Sequence, residues 1–220
     1  MPDEAPIRFE WDPRTRRFRD LDSGRYLSHA TIVDLRDTFA EAHDTRLRAL
    51  AHRLATREIS VQQWEAAMRD ELKAIHVAQY MLGRGGRNAM TAEDWGRVGH
   101  VLRDQYAYLR AFAEEIARGQ LTEARAGARS EHYARSGTQS MERGRAAAYS
   151  GTLHLPAYPG DGSTACKGKC RCYWRISEQA DVWVCRWTRT ARESCDTCVS
   201  RASAWSALII GKVADDVAAA

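Results

Sequence analysis

Apolar positions along this chain follow two periods, and the changes between them divide it. From residue 7 to 27 the alternation is strand-like: Ile7, Phe9 and Trp11 share a face, Asp12-Pro13-Arg14-Thr15 carries turn chemistry, and Phe18 restarts the pattern. Proline presets φ at the second turn position and Asp12 can accept backbone hydrogen bonds, which predicts a hairpin followed by a second turn at Asp22-Ser23-Gly24. Ile32, Leu35, Phe39, Leu47, Leu50 and Leu54 then recur mostly at three- and four-residue steps, predicting an amphipathic helix over 31–56. A second helix is predicted from Ser60, with Gln63 completing a capping box, through Trp64, Met68, Leu72 and Ile75 to Leu82. Gly83-Arg84-Gly85-Gly86-Arg87-Asn88 reads as a helix connector, because glycine loses the most backbone freedom in a helix. A phosphate loop is disfavoured there, since no strand precedes the glycines and no Gly-Lys-Ser/Thr follows.

Helix three is expected from Thr91, with Asp94 three residues on, along a core stripe of Trp95, Val98, Leu102, Leu109, Phe112 and Ile116 to a stop at Gly119. A fourth, capped by Thr122 and running to Tyr149, is rich in Ala and Arg and short of large apolar residues. That composition suits a helix that is partly exposed or docks on a partner. Gly, Pro, Ser and Thr gather between Tyr149 and Thr164 and mark a boundary; short aromatic and β-branched runs between cysteines follow. Residues 205–220 are mildly helical and apolar, and Trp205, Leu208, Ile209 and Ile210 suit either an interface or a buried terminal helix.

Composition changes this picture little, whereas charge and cysteine do. A hydrophobic fraction of 44% with 28% charged residues predicts a packed core. The net charge of +4 is matched by residues 166–201 alone, where eight Lys/Arg (167, 169, 171, 175, 186, 189, 192, 201) face four acids. Such a patch attracts phosphate or acidic protein surfaces, and equally serves as a solvated face. Met1 to Glu10 lacks the basic start and apolar run of a secretion signal, and nothing approaches 18 unbroken apolar residues, so neither export nor a spanning helix is expected. In a reducing cytoplasm thiols bind metal more readily than they cross-link.

All six cysteines fall in the last 55 residues: Cys166, Cys170, Cys172, Cys185, Cys195 and Cys198. Zinc takes four ligands in a tetrahedron, and Cys195-Asp196-Thr197-Cys198 offers two thiolates from one bend. The second pair comes from Cys166-Lys167-Gly168-Lys169-Cys170-Arg171-Cys172, where three thiols compete for two places; Cys166 with Cys172 is preferred, Cys170 is the substitute, and spacing leaves the choice open. Cys185 lies in the strand-like run Val182-Trp183-Val184-Cys185-Arg186-Trp187 and reads as a buried small apolar residue. Four protein ligands leave no open coordination position, so the Zn2+ is expected to be structural, replacing a core too small to stand alone. Disulfides and free thiols are the competing readings. The expected architecture is mainly α: an N-terminal β-hairpin (1–30), a helical body of about four helices (31–149), a small C-terminal β-containing zinc module (150–204) and a tail (205–220).

Leu155-Pro156-Ala157-Tyr158-Pro159-Gly160-Asp161-Gly162-Ser163-Thr164, followed by Cys166 and Lys169-Cys170-Arg171-Cys172 after a long Arg-rich helix, resembles the end of the Mu F-like minor head protein family of tailed phages. Cys195-Asp196-Thr197-Cys198 resembles the continuation found in some members, and Glu131-His132 and His154 are loose counterparts of the family's Arg/His motif. The resemblance implies a virion protein of few copies, in the head or neck region, assembled in the host cytoplasm. It would belong to an oligomeric assembly beside portal, connector or capsid proteins, in some cases with packaged DNA, and no catalysis is implied.

Two further readings are weighed against this one. A nucleophile set of His154, Asp161 and Ser163 lacks a Gly-x-Ser-x-Gly elbow, so the chain is not expected to be an enzyme. His154 is also a further candidate metal ligand, while His100 and His132 read as ordinary helical histidines. A zinc-module nucleic-acid binder would use Lys167, Lys169, Arg171 and Arg175, with Tyr173, Trp174, Trp183 and Trp187 stacking on bases.

Overall fold

The structure, a computed structural model, describes residues 8–119, 123–150, 153–167, 170–189 and 194–212. Strands β1 (Phe9–Asp12) and β2 (Arg17–Asp20) form the antiparallel hairpin, with Trp11 opposite Phe18. The Asp12 carboxylate organises its turn, accepting from the amides of Arg14 (2.9 Å) and Thr15 (3.3 Å) and from the Tyr26 hydroxyl (2.8 Å). These bonds, the Tyr26 hydroxyl foremost, hold its acid down at about 2. Phe9 and Phe18 are buried against Ile32, Leu82 and Met141; Ile7 lies outside the described residues.

Helix α1 (His29–Ala55) starts before Thr31 because the Ser28 hydroxyl accepts from the Thr31 amide at 3.0 Å. Helix α2 (Val61–Arg84) has the expected capping box of Ser60 and Gln63, and α3 (Ala92–Ala117) that of Thr91 and Asp94. Trp64, Met68, Leu72 and Ile75 form the body's main core with Leu47, Leu54, Leu109, Phe112, Ile116 and Tyr133. Trp95 departs from its expected stripe and is 42% exposed. The inward position of that first turn belongs to Asp94, which accepts from Tyr80 Oη and Arg84 Nε, each at 2.9 Å.

The glycine connector is shorter than expected. Gly83 and Arg84 remain helical, and α2 ends where Gly85 turns left-handed at φ +100, its amide bonded to the Met81 carbonyl; a short 3-10 turn, Arg87–Ala89, follows. Gly83 is helical because nothing larger fits: a Cβ there would stand 1.9 Å from the Met141 carbonyl oxygen. That carbonyl belongs to α4 (Glu123–Ser150), which is partly exposed as expected, at Arg125, Ala128 and His132 in its first half, but not along its second. From Gly137 to Ala147 α4 is largely buried against α1 and α2, and its small residues are what allow two backbones to approach. Thr122, its expected cap, lies outside the described residues.

The carboxy-terminal module is a three-stranded antiparallel sheet, β3 (Tyr173–Glu178), β4 (Val182–Thr188) and β5 (Leu208–Gly211), in the order β3-β4-β5, with helix α5 (Asp196–Ala204) before the last strand. Residues 208–211 are therefore strand rather than tail helix, and the module's sheet runs past residue 204. Pairing of Leu208 with Cys185 turns Leu208 and Ile210 toward a core of Trp174, Ile176, Trp183 and Trp187, and leaves Ile209 exposed. Trp205 stacks on Trp174 at 5.3 Å. Among the described residues no helix is long and apolar enough to cross a membrane.

Candidate metal centre

The proline loop carries the cysteines onto the body. Leu153, Leu155 and Ala157 are buried in alternation with exposed His154 and Pro156, as in an extended segment lying on a core. Thr138 of α4 donates to the Gly160 carbonyl at 3.0 Å, and Trp174 Nε1 to the Ala157 carbonyl at 2.9 Å. Asp161 folds the loop tip, accepting from the amides of Tyr158 (3.0 Å) and Ser163 (2.8 Å) and from the Ser163 hydroxyl. Asp161 and Ser163 thus build the loop, and Ser163 Oγ accepts from Arg201 of α5 at 2.9 Å. Arg201 lies over the rings of Trp187 and Trp205.

Beyond Thr164 the backbone turns through Lys167, left-handed at φ +49, and the Cys170 amide bonds back to the Lys167 carbonyl at 3.2 Å. This turn presents Cys166 and Cys170 to Cys198, in the first turn of α5, whose cap is Cys195. The sulfurs of Cys166, Cys170 and Cys198 all lie within 4.8 Å of one another. Cys166 to Cys198 is 3.8 Å, Cys170 to Cys198 3.6 Å and Cys195 to Cys166 3.6 Å. A tetrahedron of sulfurs about 2.3 Å from a central ion has edges of about 3.8 Å, so these separations fit a shared cation. All six cysteines are free thiols.

The two distant turns therefore meet. Cys170, which the spacing ranked behind Cys172, is in the three-sulfur group; Cys172 is buried and lies outside that group. Cys185 is fully buried apart from the group, and burial alone pushes its thiol up to about 11. His154 is exposed in a cleft between α3 and α4, outside the three-sulfur group.

Crowding divides the thiols' acidities. The Cys172 S–H donating toward Cys170 draws Cys170 down to about 5, and that bond in turn raises Cys172. Burial opposes ionisation of Cys195, but the amides of Cys198 and Cys166 outweigh it and bring it to about 7. Desolvation, then the neighbouring Cys170 charge, pushes Cys198 up, and burial raises Cys166. A divalent cation resolves this conflict, because coordination deprotonates a thiol outright.

Arg36 is the residue the sequence reading missed. Fully buried on α1, it donates through Nη2 to the Cys170 carbonyl at 2.9 Å and to Asp37 at 2.7 Å. Its position was accessible, since Arg36 follows Ile32 by four residues and lies on the same helical face. Arg171 bonds Asp34 (3.0 Å) and Asp37 (3.5 Å) of α1, so its charge sits at the seam with the body. Trp174, Trp183 and Trp187 are buried in the module core, which removes them from the base-stacking role considered above. Comparison with protein-family models, with curated proteins and with solved structures yields no match.

Proposed function

We propose that this chain is a structural minor head protein of a tailed phage, whose terminal module is held on a helical body by one zinc ion. Cys166, Cys170, Cys195 and Cys198 are the ligands in this reading; Cys172 remains a thiol that donates to the Cys170 sulfur and tunes it. The carrying observation is the convergence of the sulfurs beneath a proline loop fastened to α4. A set of four thiolates fills a tetrahedron, leaving no position for substrate or activated water, which favours a structural role. The Pro-Gly loop and Cys-Arg-Cys sequence supply the link to head morphogenesis, with portal, connector or capsid proteins as neighbours.

Two measurements test the two halves separately. Elemental analysis of the purified chain is expected to give about one zinc per chain. Quantitative mass spectrometry of purified particles, and of portal complexes drawn from assembling cells, is expected to find the chain in sub-stoichiometric amount relative to the major shell protein. Absence from both overturns the virion role and leaves the metal assignment untouched.

A further inference from the structure

The hairpin, the start of α1, the end of α4 and strand β3 enclose a cleft of about 360 Å3. Four arginines line it, Arg16, Arg17, Arg145 and Arg175, and among the described residues no Asp or Glu does. Their carboxylate contacts lie outside the lining: Arg16 pairs with Glu178, and Arg145 reaches Glu142 through Nη1 at 3.2 Å. Arg17 and Arg175 are exposed, and Arg17 lies over the Tyr26 ring at 4.6 Å. With Arg16 and Arg145 each paired to a carboxylate, exposed Arg17 and Arg175 leave the concavity net positive, which attracts an anion.

Three features narrow the anion. The cleft includes Ser28 and His29 at the amino terminus of a 27-residue helix that has no acid in its first turn, so the end of α1 adds amides and positive potential. The Nε2 atom of His29 is shielded from solvent and has no hydrogen-bond partner. Tyr149, Tyr173 and Trp11 line it too, with Arg16 over the Tyr149 ring, Arg145 over the Tyr173 ring and His29 packed on Tyr173 at 3.9 Å. Guanidinium groups recognise phosphate through paired N–H bonds, and flat rings accept a base. The volume lies within the range of about 300–1,000 Å3 usual for small-molecule clefts.

We propose that this cleft binds a nucleoside phosphate, with Arg17, Arg145 and Arg175 on the phosphate and the aromatic residues beside the base. The same chemistry is offered by a free nucleotide and by the end of a single strand, and the site is independent of the metal centre. Zinc-loaded full-length protein titrated with adenosine monophosphate, adenosine or a short single-stranded oligonucleotide, followed by calorimetry and tryptophan fluorescence, tests it. The monophosphate is expected to bind saturably, adenosine to fail, and affinity to fall as salt rises. The exposed double variant R17Q/R175Q is expected to keep its near-ultraviolet spectrum and lose about tenfold or more in affinity, since two charge-assisted contacts to phosphate go. R110Q, on the far part of α3, is expected to bind like the parent. Tighter binding of the oligonucleotide than of the monophosphate assigns the site to nucleic-acid ends; equal affinity assigns it to free nucleotide. No saturable binding of either, equal binding of adenosine, or a double variant indistinguishable from the parent overturns the proposal.

Discussion

Individual side chains decide whether the cysteine cluster is a metal site or a packing accident. Cys198 touches both Cys166 and Cys170, so Cys198→Ser removes the sulfur through which α5 meets both cysteines of the other turn, whereas Cys172→Ser removes a donor beside the site. Cys198→Ser is expected to abolish zinc retention through dialysis, and Cys172→Ser to keep about one zinc per chain with affinity reduced ~10–100-fold. Metal content and chelator competition check both, and equal loss in the two variants would make Cys172 a ligand. A second residue-scale effect concerns His76, fully buried, with Nδ1 at 2.7 Å from the Ser140 hydroxyl and Nε2 unpartnered. Burial, and secondarily the Arg143 charge, depress it to about 4. The unfolded chain then binds more protons than the folded one between the ordinary histidine pKa near 6.5 and 4, so stability is full above that range and falls with pH through it. The loss reaches on the order of 3 kcal/mol at the acid end. Denaturant midpoints at pH 7 and 5 are expected to differ less in His76→Gln than in the parent. Taking the difference between the two proteins cancels the acid lability they share at the thiolates.

At the scale of elements, the caps were legible and the helix crossings were not. Ser60 with Gln63 and Thr91 with Asp94 act within one turn, so local sequence suffices to place two helix starts. Glycine in Gly83 and Gly144 serves a contact between α2 and α4, and the sequence around it looks the same whether it breaks a helix or lets another approach. The same ambiguity hid α4: a helix of Ala, Gly, Ser and Arg has no apolar stripe to read, yet those small side chains place it at the centre of the body. The cysteine turns were legible as a ligand set, while the choice among Cys166, Cys170 and Cys172 depended on the turn at Lys167, which spacing does not encode. The crossing gives a paired prediction. A Cβ on Gly144 would meet the Tyr80 carbonyl oxygen at 2.3 Å, a backbone atom with little room to move, so Gly144→Ala is expected to cost about 3 kcal/mol. Gly96, exposed on α3 with nothing within 4 Å of an added Cβ, is the control: Gly96→Ala is expected to stabilise by up to ~1 kcal/mol through helix propensity. Urea unfolding followed by circular dichroism reads both, and similar values for the two would mean that α2 and α4 do not cross closely.

For the whole molecule, the question is whether module and body fold as one unit or as two. The body has an extensive core of its own, whereas the module's aromatic core is small and sits against the sulfur cluster. Metal removal is therefore expected to loosen the module first: the near-ultraviolet signal of Trp174, Trp187 and Trp205 falls while most of the far-ultraviolet helical signal remains. Arg36 is the sensor that connects the two, because its guanidinium is buried in the body and its hydrogen bond ends on the backbone of a proposed ligand. In the zinc-loaded protein, Arg36→Met leaves the Cys170 carbonyl without its donor and removes one of the two cations, the other being Arg145, that act on the buried Glu142, a loss of about 3 kcal/mol. After chelation the segment around Cys170 has already left its place, so the same substitution is expected to cost less, with a difference of ~1–3 kcal/mol between the loaded and stripped cycles. That difference measures how strongly the metal centre holds the module to the helices. Equal costs in the two states would mean that the proline loop docks on α4 through Thr138 and its apolar residues whether or not the sulfurs share an ion.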